Sequence, residues 1–167
     1  MALCGPEMKV KAIIDIQQGY LSRGGRIRSK TYRPCNGRRP DDDIVELIFT
    51  YKHKLANQPG QLEIECAMSQ EDFDLAWSEA DHKITKTRYI LSCSERGVWE
   101  VDLFHGNGKI YLAMAEFEVP ADVGPPDVCH PLVAEYLRYA VPEEDDRFSN
   151  RKLSDPKKVA KLLKEIA

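Results

Sequence analysis

Residues Trp99–Val119 read WEVDLFHGNGKIYLAMAEFEV, two alternating runs joined by His105-Gly106-Asn107-Gly108. A glycine-rich break between β-favouring runs predicts a β-hairpin. Side chains alternate across a strand, so Glu100 and Asp102 share one face of the first run, and Glu116 and Glu118 one face of the second. Trp99, Val101 and Leu103, with Ala115, Phe117 and Val119, take the opposite face. An acidic face and an apolar face fit a sandwich whose charges meet water. They fit equally a barrel whose charges line the inside.

Working outward, the same alternation recurs. Lys83–Cys93 puts Lys86 and Arg88 on one face, and Gln61–Ala67 sets Gln61, Glu63 and Glu65 opposite Leu62, Ile64 and Cys66. Ile44–His53 sets Glu46, Ile48, Thr50 and Lys52 against Val45, Leu47, Phe49 and Tyr51, and the run after Gly24-Gly25 gathers Arg26, Arg28 and Lys30. With Val10–Leu21, rich in β-branched residues, this makes about seven strands, expected in meander order. Between strands, Ser69 is placed to cap a helix over Gln70–Ala80 whose apolar stripe is Phe73, Ala76, Trp77 and Ala80. Beyond the proline-rich Pro120–Asp127, a short helix is expected over Pro131–Ala140. A last helix is expected after Ser154-Asp155-Pro156, docking through Val159, Leu162, Leu163 and Ile166.

The 167 residues, 43% hydrophobic and 31% charged, suffice for one domain with a real core and are few for two. The expected domain spans 1–167, with its core over about 10–119 and a helical extension over 131–167. A net charge of −3 argues against a generic nucleic-acid or anionic-membrane surface, so any anion site must be concentrated. The five cysteines are odd in number and widely spaced, which points to reduced thiols in a cytoplasmic protein rather than a disulfide framework or zinc site. No run approaches the length of a membrane span. His53, His82, His105 and His130 are too scattered for a metal motif. Gly106-Asn107-Gly108 is turn chemistry, since a phosphate cradle needs a helix N-terminus behind it.

On any one strand, charges at alternate positions are most simply a solvated face. Across successive antiparallel strands the polar faces must come together, and here they favour arginine and paired carboxylates, the groups that hold phosphates and divalent cations. A sandwich exterior stays open; a closed barrel would converge both signs around one cavity.

In order along the chain, these residues resemble the CYTH domain, or triphosphate tunnel metalloenzyme, superfamily. Gln18-Gly19-Tyr20-Leu21 resembles its QGYL strand, Arg26-Ile27-Arg28 its RxR strand, and Thr50-Tyr51-Lys52 its TxK strand. Gln61-Leu62-Glu63-Ile64-Glu65 is similar to RxExE, with glutamine in place of the arginine. Lys86-Thr87-Arg88-Tyr89 is similar to KxRY, Trp99-Glu100-Val101-Asp102 to WEVD, and Ala115-Glu116-Phe117-Glu118-Val119 to AEVEL. Asp146-Arg147-Phe148-Ser149-Asn150 is similar to the DxRYSN tail.

The resemblance covers roughly Gln17 to Leu153 and implies a mainly β fold with helices (α+β). Its architecture is an antiparallel tunnel barrel of eight strands, or an open one of seven, with a polar interior and helices outside. It implies that Arg26, Arg28, Lys52, Lys86 and Arg88 bind phosphates. Glu116 and Glu118, with Glu63, Glu65 or Asp102, would hold magnesium or manganese (Mg2+ or Mn2+), and Glu100 would bind metal or orient the bases. No catalytic residue is assigned. The implied ligand is a small-molecule triphosphate or nucleotide.

One family element is missing: the ExExK first strand ahead of QGYL, whose nearest candidate is Glu7-Met8-Lys9-Val10-Lys11. In the family that strand supplies half of the metal site. Three readings therefore stay open. One is a triphosphate phosphohydrolase, of weak activity or less readily a cyclase; another is a protein that binds a triphosphate without turnover; the third is a decayed domain whose charges merely pair with one another. A barrel short of one strand is also expected to leave an edge at Val10–Leu21 that a second copy, in a homodimer, could cover.

Overall fold

The computed structural model describes residues 10–22, 24–33, 44–54, 61–94, 97–118, 129–142 and 144–166. Seven strands form one antiparallel sheet: β1 (Val10–Tyr20), β2 (Gly25–Arg33), β3 (Ile44–Lys54), β4 (Gln61–Ala67), β5 (His82–Ser94), β6 (Gly97–Gly106) and β7 (Lys109–Glu118). The sheet is open, with the order β4-β3-β2-β1-β5-β6-β7. The fold is thus mainly β with helices, the seven-stranded open form of the expected architecture. Glu7, Met8 and Lys9 lie outside the described residues, as does Val119.

The simple meander is broken at one place. Leaving β4, the chain passes through α1 (Gln70–Ser78) and returns to the far side of β1, where Ile14 pairs with Arg88. Val10–Tyr20 is therefore the central strand rather than an edge, bonded to β2 through Gln18↔Arg28 and to β5 through Gln18↔Ile84. The edges are β4 and β7. Alternation within a strand fixes its two faces but not its neighbours, and so left this pairing undetermined.

The opening hairpin turns on two residues, Asn107 at φ 51° and Gly108 at φ 73°, the left-handed pair that matches strand twist. Helix α1 starts where expected: Ser69 Oγ accepts from Asp72 N at 3.1 Å and donates to Asp72 Oδ2 at 2.7 Å. Gly19 explains how α1 docks. A Cβ there would lie 2.9 Å from Ala80 Cβ and 3.3 Å from Trp77, so a side chain would push the helical segment off the sheet.

The C-terminal segment comprises α2 (Pro131–Tyr136), a 3-10 turn at Asp146–Phe148, α3 (Asn150–Leu153) and α4 (Pro156–Ile166). Asp155 caps α4, accepting from Lys157 N at 2.9 Å. Phe148, Leu153, Val159 and Leu162 form the core with Ile84, Phe104 and Leu112 of the sheet. Tyr111 Oη donates to Leu153 O at 2.8 Å and fastens the segment. Among the described residues no helix is long and apolar enough to cross a membrane.

Candidate anion and cation site

Residues directly opposite in an antiparallel pair share a face. The register places Tyr20, Arg26, Arg28, Lys30, Thr50, Lys52, Glu63, Glu65, Lys86, Arg88, Glu100, Asp102, Glu116 and Glu118 together on one face of the sheet. Burial decides which way it points. Gln18, Thr50, Lys86 and Asp102, all on this face, are at most 2% exposed, whereas Val45 and Ile64 on the opposite face are 53% and 49% exposed. The charged face is enclosed at its centre, whereas Lys52, Glu63, Glu65, Glu116 and Glu118 towards its margins are exposed and the opposite face buries Ile27, Thr87 and Leu91.

Its two halves differ. On β5–β7, Lys86 Nζ lies 2.5 Å from Asp102 Oδ2 and donates to Asn150 Oδ1 at 3.0 Å. Arg88 grips the same Asp102 with two parallel bonds, Nε to Oδ1 at 2.7 Å and Nη2 to Oδ2 at 2.8 Å. It also touches Glu100 through Nη1 and stands 3.8 Å from Glu116. Burial pushes the Asp102 carboxyl up, but the Arg88 hydrogen bonds and the Lys86 charge prevail and hold it below the usual range. Burial likewise lowers Lys86 against the pull of Asp102. Arg88 is driven above its ordinary value despite burial, because Asp102, Glu100 and Glu116 surround it.

Beyond this core, ligand oxygens of Glu100, Glu116 and Glu118 lie within 4.8 Å of one another. Burial raises Glu100, and repulsion from Glu118, Asp102 and Glu116 adds to it against the opposing pull of Arg88. Three oxygen donors so close are the set a hard divalent cation takes, and its charge would relieve their repulsion. From sequence, Glu63, Glu65, Glu100 and Asp102 all stood beside Glu116 and Glu118 as groups that bind metal or orient the bases. The structure brings Glu100 to the pair, places Asp102 under Lys86 and Arg88, and sets Glu63 and Glu65 on the far edge strand. There Glu63 lies 3.0 Å from Lys52, and Glu65 accepts from Thr50 at 3.2 Å.

On β1–β2, Arg26 and Arg28 lack such carboxylate partners among the described residues. Lys30 lies 3.6 Å from Glu46, but among the described residues no carboxylate is within ion-pair distance of Arg26 or Arg28. Arg26 Nε is buried with no hydrogen-bond partner. Arg28 Nε donates to Gln18 Oε1 at 2.9 Å, and Gln18 Nε2 donates to the Tyr20 hydroxyl at 2.5 Å. Burial, then the charges of Arg26 and Arg88, lower Arg28. Burial also pushes the Tyr20 phenol up, while Arg26, Arg28, Gln18 and Arg151 pull the other way. Two cations without a carboxylate partner beside a phenol are a set that suits an anion.

Of the five bases named from sequence, Arg26 and Arg28 are thus available, while Lys52, Lys86 and Arg88 are engaged with carboxylates. Gln18, Asn150 and Arg151 were not singled out as ligands, and Tyr20 only as one of several tyrosines at the tunnel edge able to contact a base. Gln18 and Tyr20 share the alternation of Arg28, a signal open to reading, whereas Asn150 and Arg151 reach the site only through docking of the C-terminal segment. On the opposite face, Thr87 Oγ1 lies 2.9 Å from Asp15 Oδ1 and 3.0 Å from His105 Nε2. The hydroxyl sits between acid and imidazole, so this is not the nucleophile–base–acid order of a hydrolase triad.

No family profile matches the sequence, and no curated protein does. Among the solved structures similar to the chain are these three. They are the inorganic triphosphatase NE1496 (18% identity over 85% of each chain, TM-score 0.45), a second NE1496 structure described as a hypothetical protein (19%, 85% of each chain, TM-score 0.44), and the PH1819 protein from Pyrococcus horikoshii OT3 (17%, 98% of this chain and 81% of that one, TM-score 0.43).

Proposed function

We propose that this chain is a CYTH-like phosphohydrolase that binds a small-molecule triphosphate on the enclosed charged face and transfers its terminal phosphoryl group to water. The observation that carries the reading is the pair Arg26 and Arg28. They are half-buried, have no carboxylate within ion-pair distance among the described residues and share a face with three clustered carboxylates. Burying two such cations is costly unless an anion completes them. Arg26 and Arg28 hold phosphate oxygens, Gln18 fixes the direction of the Arg28 guanidinium, and the Tyr20 hydroxyl donates to the same ligand. Glu100, Glu116 and Glu118 hold a divalent cation, magnesium or manganese, which supplies neutralisation of phosphate charge when bound. The ligand is a small molecule rather than nucleic acid or membrane. The free thiols of Cys66 and Cys129 support a reducing, cytoplasmic setting. The open edges β4 and β7 support a homodimer in which a second copy covers one of them.

A second reading is binding without turnover. It is favoured by the closed Lys86–Asp102–Arg88 cluster, which withdraws Asp102 from metal binding and Arg88 from phosphate. One paired assay separates the two: phosphate release from tripolyphosphate and ATP with magnesium or manganese, beside calorimetric binding of the same ligands without metal. Turnover lost in Glu116→Ala establishes the hydrolase. Metal-independent binding lost in Arg28→Ala, with no turnover in the wild type, establishes the binder, and absence of both signals defeats both.

A further inference from the structure

On β5–β7, two cations, Lys86 and Arg88, face four carboxylates, Asp102, Glu100, Glu116 and Glu118. The excess is two negative charges, what one divalent cation cancels. Until such a cation arrives, Arg88 does part of its work. Its Nε and Nη2 are committed to Asp102 by short, parallel bonds, while Nη1 touches Glu100 and Nη2 stands only 3.8 Å from Glu116. One edge of the guanidinium is thus anchored, and the other rests on two of the three carboxylates that suit a metal.

We propose that Arg88 is a displaceable internal counter-cation: a divalent cation bound by Glu100, Glu116 and Glu118 takes over Glu100 and Glu116 and frees the Nη1 side of Arg88 for the phosphate held at Arg28. Arg88 and a divalent cation on the same two carboxylates repel each other, so the two occupancies compete. The freed edge lies on the same face as the anion site, with Arg88 beside Ile14 and Arg28 beside Gln18 of their shared neighbour β1. Asp102 keeps the side chain from swinging away, and Lys86 and Asn150 keep Asp102 in place. Cation and phosphate therefore help each other bind through one side chain, and Arg88 acts as a positioning residue. This inference rests on the metal assignment made above.

The test is manganese binding, read as free Mn2+ by electron paramagnetic resonance, in folded wild-type, Glu116→Gln, Arg88→Gln and Arg88→Lys proteins. Sulfate serves as an anion with little affinity of its own for the metal. With the competitor removed, Arg88→Gln is expected to bind Mn2+ about tenfold more tightly than wild type and to lose the sulfate-induced gain that wild type shows. Arg88→Lys, which keeps the charge and loses the fork, should fall between them and serves if the glutamine variant does not fold. Unchanged or weaker Mn2+ binding in the Arg88 variants, with wild type binding and Glu116→Gln not, overturns the proposal and leaves the metal site standing. Absence of Mn2+ binding by wild type overturns both.

Discussion

The basic half of the enclosed face, on β1 and β2, and its acidic half, on β5 to β7, solve opposite problems with the same residue types. In the acidic half Lys86, Arg88 and Asp102 satisfy one another, with the Asn150 side chain completing the ammonium's shell. In the basic half Arg26 and Arg28 lie on one face, with Arg28 bonded to Gln18 and Gln18 to Tyr20. A closed network gives the fold a fixed centre. An open one leaves an electrostatic cost that only a ligand removes. The difference teaches where to look for function: in the half that is incomplete.

Breaking the closed half should have the largest effect. Asp102→Ala strands two buried cations and is expected to lower stability by about 3–5 kcal/mol, measured by urea unfolding. Replacing Lys86 by Met together with Asp102 by Leu should cost much less, because no charge is left unpaired. In the open half the consequences move from stability to binding. Arg28→Met should leave the urea midpoint unchanged or raised, since it relieves repulsion with Arg26 and Arg88, while calorimetry shows tripolyphosphate affinity reduced by about 1.5–3 kcal/mol.

A smaller loss is expected at the rim of the acidic half. A Cβ at Gly97 would lie 2.6 Å from Glu118 O and 2.6 Å from the Phe117 ring, so Gly97→Ala should destabilise by about 1–3 kcal/mol and loosen the carboxylate cluster, read as weaker Mn2+ binding.

The smallest effect is a divergence with pH. Asp102, held below its ordinary value, contributes stability that is present above the unfolded carboxylate pKa and lost as pH falls through its depressed folded value. Glu100, raised in the fold, contributes below its unfolded value, and that contribution is lost as pH rises through the raised value. Unfolding free energies of Glu100→Gln across mildly acidic pH should lack this second decline, and its persistence would reassign it to another group.

Much of this was legible in the sequence because alternation is a local property. Each strand announces its faces, and β2 to β4 and β5 to β7 follow one another with short breaks, so Arg26 and Arg28, or Glu116 and Glu118, could be grouped without coordinates. Choosing Glu100 over Asp102 as the partner of Glu116 was beyond that logic. The two share a face, and only the register, which sets Arg88 opposite Asp102 and Glu100 opposite Glu116, tells them apart. Glu63 and Glu65 have the right parity too, but they belong to an edge strand at the far end of the sheet order. The direction of the charged face was likewise open until Gln18, Lys86 and Asp102 proved buried.

The crossing from β4 through α1 to β5 has a consequence for how the molecule assembles. The strands of each half follow one another closely in the chain, whereas the β1–β5 seam closes a loop of about sixty residues, as in Tyr20↔His82. Local pairings form quickly and such distant ones slowly. Arg26 and Arg28 come onto one sheet with Glu100, Glu116 and Glu118 only across that seam, so a ligand spanning the two groups binds the joined sheet and neither half alone, and by mass action it holds shut the one pairing that chain entropy most opposes.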